Sequence, residues 1–202
     1  RWFTPDIEMD LCGHATLATA HCILNELYDN KNKVVFESMS GRLEVERVNH
    51  DYQMILPAWP AERTNLPDPI LNSLNIKPLE VYKSRDYLLI FKNQNEIENI
   101  AINRSIFDQI NINPGGVIVS AKGDCCDFVS RFFTPQATIL EDPVTGSAHC
   151  TLTPYWSKKL GKTNLKAQQL SSRGGSLSCE LKESQVRING KAITYLKGEI
   201  EI

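Results

Sequence analysis

His14 directly follows Gly13 in "LCGHATLATAH", and Ser147 directly follows Gly146 in "EDPVTGSAHC", with Asp142 just ahead in the same segment. An imidazole exchanges a proton near pH 7, and a carboxylate can share that work. A serine hydroxyl can donate to an anion or cap a helix. A glycine before a helix lets the backbone turn tightly, so the first amides, which have no acceptor within the helix, point into open space. With the positive end of the helix dipole, those amides attract a carboxylate or phosphate. Two such starts facing one another would grip a small acid from both sides. In that arrangement His14 and Asp142 form an acid–base pair, and Gly13, Gly146 and Ser147 form the anion clamp. The dipole disfavours imidazolium, so His14 is expected to be neutral. Asp142 precedes Pro143, which holds it in an extended approach to the turn.

Each of these residues also has an ordinary reading. A histidine at a helix start is often a solvated cap, Asp-Pro is common turn chemistry, and serine is a frequent N-cap. Duplication sets them apart. The first stretch follows "RWFTP" and the second follows "RFFTP", so one chain builds a strand, a glycine turn and a helix start twice. Structural caps alone need no such matched presentation.

The elements around these stretches follow from periodicity. Leu17, Ala20, Leu24 and Leu27 recur at helical spacing, which predicts a helix from about Gly13 to Tyr28. The runs "KVVFES", "GRLEVERV" and "YQMILP" predict an antiparallel meander. The proline-rich "PAWPAERTNLPDP" is the expected linker. Beyond it come a short helix "PILNSLNI", strands "LEVYKS" and "YLLIFK", a weak helix at "RSIFDQI", and strands "GVIVSA" and "DFVSRFF". The second long helix should end near Leu160 with Gly161 just past it, and Pro154 inside it should kink it. "SLSCELK", "SQVRI" and "AITYLKGEIEI" are the closing strands. This pattern predicts an α+β protein of two similar lobes. Residues 1–57 form the N-terminal lobe, closed by a C-terminal strand over 192–202, and residues 62–191 form the C-terminal lobe.

The bulk numbers exclude several classes. With 22 basic and 24 acidic residues among 202, the formal charge is −2 and gives no electrostatic reason to expect nucleic acid or an anionic membrane. No apolar run approaches the roughly 18 residues of a membrane span, and no signal peptide is visible. The six cysteines are sparse and irregular, without a CxxC pair, and read as reduced thiols of a cytoplasmic protein. GxGxxG, P-loop, HExxH and GxSxG motifs are absent. His14 and His21 lie about two helical turns apart, too far to share a metal ion. A Ser147-His14-Asp142 triad is disfavoured, because Asp142 shares a turn with Ser147 and nothing places it behind the imidazole. No metal or cofactor is called for. His21, His50 and His149 read as structural.

The stretches "RWFTPDIEMDLCGHATLATAH", "EDPVTGSAHCTLTPYW" and "QVRINGKAITYLKGEIEI" resemble the phenazine-biosynthesis PhzF-like family over the length of the chain. That resemblance implies a diaminopimelate epimerase-like fold, with each lobe a mixed, mostly antiparallel barrel-like sheet around a central helix and a site between the lobes. It further implies cofactor-independent isomerisation of a small, carboxylate-bearing cyclic substrate by acid–base proton transfer, in a homodimer. Carried over residue by residue, the family's active-site His falls on His14, its Asp on Asp142 and its Ser on Ser147. The amides of Gly13 and Gly146 would line the carboxylate site. The family's principal proton shuttle is a Glu in a turn upstream of the "RWFTP" strand, whereas this chain opens at Arg1. The second copy also has a lead-in, "CCDFVS", that the first lacks. An N-terminal truncation is therefore expected, and a fragment without that Glu is expected to be inactive. Related epimerases use two thiols, one before the glycine of each lobe. Here those places hold Cys12 and Thr145, and a threonine hydroxyl is too weak an acid to replace a thiolate. A non-catalytic binding protein with the same cleft is the alternative, and an amino-acid racemase or epimerase the more distant one.

Overall fold

The computed structural model describes residues 1–3, 8–49, 51–112 and 115–199. In chain order, β1 (Trp2–Phe3) and β2 (Glu8–Met9) precede α1 (Gly13–Cys22), which is followed by β3 (Lys33–Ser38), β4 (Gly41–Val48), β5 (Asp51–Pro57) and β6 (Glu62–Arg63). Then come α2 (Asp68–Ser73), β7 (Glu80–Lys83), β8 (Tyr87–Ile90), α3 (Gln94–Glu98), α4 (Arg104–Phe107), β9 (Val117–Lys122) and β10 (Phe128–Phe133). Helix α5 (His149–Leu160), β11 (Asn164–Gln169), β12 (Gly175–Lys182) and β13 (Gln185–Gly190) complete the order.

Eleven strands form one continuous sheet in the order β3-β4-β5-β13-β12-β11-β10-β9-β8-β7-β6. The pairs β8·β9 and β10·β11 are parallel and the remaining pairs are antiparallel. This is the mixed, mostly antiparallel α+β architecture that the sequence pattern calls for. The N-terminal meander reaches the rest of the molecule by pairing β5 with β13, Tyr52 opposite Gly190 and Pro57 opposite Gln185.

Period-two burial explains the layers. In β5, Tyr52, Met54 and Leu56 turn inward and their neighbours do not. In β8 all four residues are buried: Leu88 and Ile90 join the core around the two long helices, while Tyr87 and Leu89 join a second core under α2, α3 and α4. A strand covered on both faces reads as a continuous apolar run, which is what "YLLI" is.

Helix α1 packs on β4 and β5, and α5 packs on β11, β12 and β13. Gly13, Thr16, Leu17, Ala20 and Leu24 face inward at helical spacing. The regular α-helix is shorter than the predicted Gly13–Tyr28. After Cys22 it widens into a π turn over Ile23–Leu27, closed by Tyr28 N–H to Ile23 O at 2.8 Å.

One further expectation is corrected. No strand forms over residues 192–199; Thr194 and Lys197 instead tie this segment to His21 and Glu26, and residues 200–202 lie outside the described residues. His50 also lies outside them. Helix α5 continues on both sides of Pro154 as one helix. Proline lacks the amide that would bond to Cys150 O, and the amide of Trp59, in the linker, takes that carbonyl at 2.8 Å. A missed element is β11, whose "NLKAQQ" is too polar to announce a strand, although Leu165, Ala167 and Gln169 alternate inward.

Candidate active site

Gly13 opens α1 behind Cys12, whose backbone is extended (φ −134°, ψ 101°). The first ladder bond runs from Thr16 N–H to Cys12 O at 3.0 Å, so the amides of Gly13, His14 and Ala15 fall outside it. On the other side, Gly146, Ser147 and Ala148 form a tight turn feeding α5, with His149 N–H to Gly146 O at 3.1 Å and Cys150 N–H to Ser147 O at 3.0 Å. The two glycines touch. A Cβ added to Gly13 would lie 3.0 Å from Gly146 Cα, and one added to Gly146 would lie 3.1 Å from Gly13 Cα. Only residues without a side chain allow that approach.

His14 is exposed, with Nε2 3.6 Å and Nδ1 3.8 Å from Cys12 Sγ. The hydrogen bond with Cys12 raises the imidazole pKa, partial burial opposes it, and the charges of Cys12 and Asp142 add to the rise. The shift runs opposite to the one the helix dipole alone would give, because the polar neighbours outweigh burial. His14 and Asp142 lie within electrostatic reach of one another.

Asp142 is half-buried. Its Oδ2 accepts from Thr145 Oγ1 at 2.6 Å and its amide donates to Phe132 O at 3.1 Å. Gln169, buried at the end of β11, fixes the whole segment. Its Nε2 donates to Asp142 O at 2.6 Å and to Thr145 Oγ1 at 3.2 Å, and its Oε1 accepts from Thr145 N–H at 2.7 Å. A concavity of about 510 Å³, lined by Gln169, Ser171, Arg173 and Gly175 among others, borders this segment, and Ser171 Oγ donates to Pro143 O at 2.7 Å. Another, of about 640 Å³ between β6 and β7, lies at the far edge of the sheet and holds none of these residues.

Ser147 is buried and does not cap α5. Its Oγ accepts from Arg85 Nη2 at 3.1 Å. Burial works against the Arg85 charge, but Asp86 and Asp10 outweigh it and raise the guanidinium pKa further. His149, fully buried, donates Nδ1–H to Thr145 O at 2.8 Å, and Nε2 has no partner. Burial pushes its pKa down to about 4.

The structure thus brings Gly13, His14, Asp142, Gly146 and Ser147 together. It adds residues that sequence reasoning missed. Arg85 and Asp10 gave no signal, since an Arg-Asp turn between two apolar strands is unremarkable. Another pair was legible in the repeat. Glu8 and Glu141 stand at the same distance before Gly13 and Gly146. Each takes a bidentate bond from the arginine opening its copy: Arg1 to Glu8 at 2.8 and 2.7 Å, and Arg131 to Glu141 at 2.7 and 2.9 Å. Among the described residues, no three His, Cys, Asp or Glu side chains converge as metal ligands, and no helix is long and apolar enough to cross a membrane.

Comparison with known proteins extends this picture. The family model described as phenazine biosynthesis-like protein (PhzC-PhzF) matches residues 1–198. An uncharacterized isomerase of Pseudomonas aeruginosa is 42% identical over 203 residues, covering 100% of this chain and 77% of its own length. An uncharacterized isomerase of Halalkalibacterium halodurans is 40% identical over 206 residues, covering 99% and 77%. A solved PhzF-family protein of Enterococcus faecalis superposes with a TM-score of 0.90 at 42% identity, covering 100% of this chain and 77% of that one. The names of these relatives set isomerase as the activity class at the level of the family.

Proposed function

Because the chain belongs to the phenazine biosynthesis-like (PhzC/PhzF) family, we propose that it is a cofactor-independent isomerase moving a proton on a small, cyclic, carboxylate-bearing substrate. The observation that carries this reading is the backbone contact between Gly13 and Gly146. It sets two groups of amides outside any helical ladder beside one another, which suits a single organic anion. In this reading the amides of Gly13 and Gly146 and the hydroxyl of Ser147 hold the substrate carboxylate. His14, biased toward its protonated form, supplies a proton, and Asp142 assists its movement.

The hydroxyl of Thr145, at the place matching Cys12, is committed to Asp142 Oδ2. That favours proton transfer within one substrate over inversion between two thiols. The protein would work as a cytoplasmic homodimer.

The test uses the protein as its gene encodes it, incubated in D₂O with a panel of cyclic amino- and hydroxy-carboxylates and followed by proton NMR. Deuterium should enter one position of a substrate. His14→Gln and Asp142→Asn should abolish that exchange while circular dichroism stays unchanged. Undiminished exchange in both variants would overturn the assignment.

A further inference from the structure

Arg85, in the turn between β7 and β8, reaches across to both helix starts. Its Nη1 donates to Asp10 Oδ1 at 3.2 Å and Oδ2 at 3.3 Å, and its Nε and Nη2 meet Asp86 Oδ1 at 3.3 and 3.2 Å. The guanidinium lies over the Trp59 ring, 5.1 Å from its centroid. Nη2 also donates to Ser147 Oγ. Asp10 stands directly before the Leu11-Cys12-Gly13 approach to α1, and its Oδ1 accepts the Leu11 amide at 2.9 Å. One side chain therefore joins the segment leading into Gly13 to the residue that follows Gly146.

The chemistry of the donors sharpens this. A guanidinium only donates, so Ser147 Oγ is the acceptor and its own proton must point elsewhere. The charge of Arg85 is already matched by Asp10 and Asp86, and only 12% of its side chain is exposed. It is poorly placed to bind the substrate as a free cation.

We infer that Arg85 is a positioning residue of the carboxylate site: bound to Asp10 and Ser147, it fixes the two glycine turns against each other and leaves the Ser147 O–H to donate to the bound carboxylate. Trp59 backs the guanidinium, and its own amide is held by the Cys150 carbonyl that Pro154 leaves free. This inference rests on the carboxylate reading above.

The experiment is a double-mutant cycle on anthranilate affinity, measured by calorimetry for the wild type, Arg85→Lys, Ser147→Ala and the double variant. Lysine keeps the charge but loses the fork. Losing one charge-assisted hydrogen bond to the site should weaken binding about tenfold in each single variant. The double variant should be no weaker than Ser147→Ala alone, because Arg85 acts through Ser147. Amide resonances of Gly13 and Gly146 should shift together in ligand-free Arg85→Lys, a readout that does not depend on any ligand. If Arg85→Lys fails to fold, Asp10→Asn replaces it in the cycle, and it should likewise add nothing to Ser147→Ala. Additive losses, or unmoved glycine resonances, would overturn the inference. If wild type binds neither anthranilate nor the other carboxylates, the carboxylate role falls, while glycine shifts would still support the positioning of the two turns.

Discussion

Between neutral pH and about pH 4, the burial of His149 should make this protein less stable as the solution is acidified. The imidazole is fully buried against Phe128, with ring centroids 5.9 Å apart, and Nε2 has no acceptor for a second proton. Its pKa falls from an ordinary 6.5 to about 4. Between those values the unfolded chain binds a proton and the folded chain does not, so stability drops as pH falls through the window and is flat outside it. At about 1.36 kcal/mol per pH unit, the total reaches about 3 kcal/mol, a large share of a typical folding free energy. His149→Asn keeps an N–H for the Thr145 carbonyl and removes the titration. Urea unfolding of both proteins at pH 7, 6, 5 and 4 isolates the effect, since all other groups titrate in both. The stability of wild type relative to the variant should fall by about 3 kcal/mol from pH 7 to pH 4. An unchanged difference across that range would refute the reasoning, and would mean that water or a structural opening reaches the ring.

Gly13→Ala and Gly146→Ala each place a Cβ near 3 Å from the opposing Cα, and should each lower stability by about 1–3 kcal/mol in urea unfolding and weaken anthranilate binding. Since the His14 pKa is raised, chiefly by its bond to Cys12, the protonated ring should persist above an ordinary imidazole's range. Anthranilate affinity should therefore fall as pH rises through that range, and His14→Gln should flatten the profile in calorimetric titrations from about pH 6 to 9. Removing a proline from a helix interior ordinarily gains about 3 kcal/mol. Pro154→Ala should gain less than about 1 kcal/mol in thermal unfolding, because the restored amide competes with Trp59 for Cys150 O.

Much of the fold was legible where one period dominates. "YQMILP" alternates and becomes the inward-alternating part of β5, and the Leu17–Ala20–Leu24 stripe becomes the buried face of α1 and the π turn after it. Prediction failed where partners far along the chain decided the outcome. β11 is a strand because β10 and β12 pair with it on either side, and its own polar residues do not reveal that. "AITYLKGEIEI" has the composition of a strand, yet over residues 192–199 it runs along α1 through His21 and Glu26. The site divides the same way. The repeat exposed Gly13, His14, Gly146 and Ser147 as matched positions, with Asp142 just ahead of the second glycine. It did not expose Arg85, Asp10 or Gln169, because these hold the site from other elements.

Residue order alone determined that this chain would build two glycine turns, each feeding a helix and each followed by a polar side chain, because those propensities act over a few neighbouring residues. Only the tertiary structure decided that the two turns meet. Contact between Gly13 and Gly146 depends on a sheet that carries the meander to β13 and on an arginine at position 85 between their approaches. The rise in the His14 pKa divides the same way: its largest cause, the bond to Cys12, is local to the turn, and only the charge of Asp142 is brought near by folding.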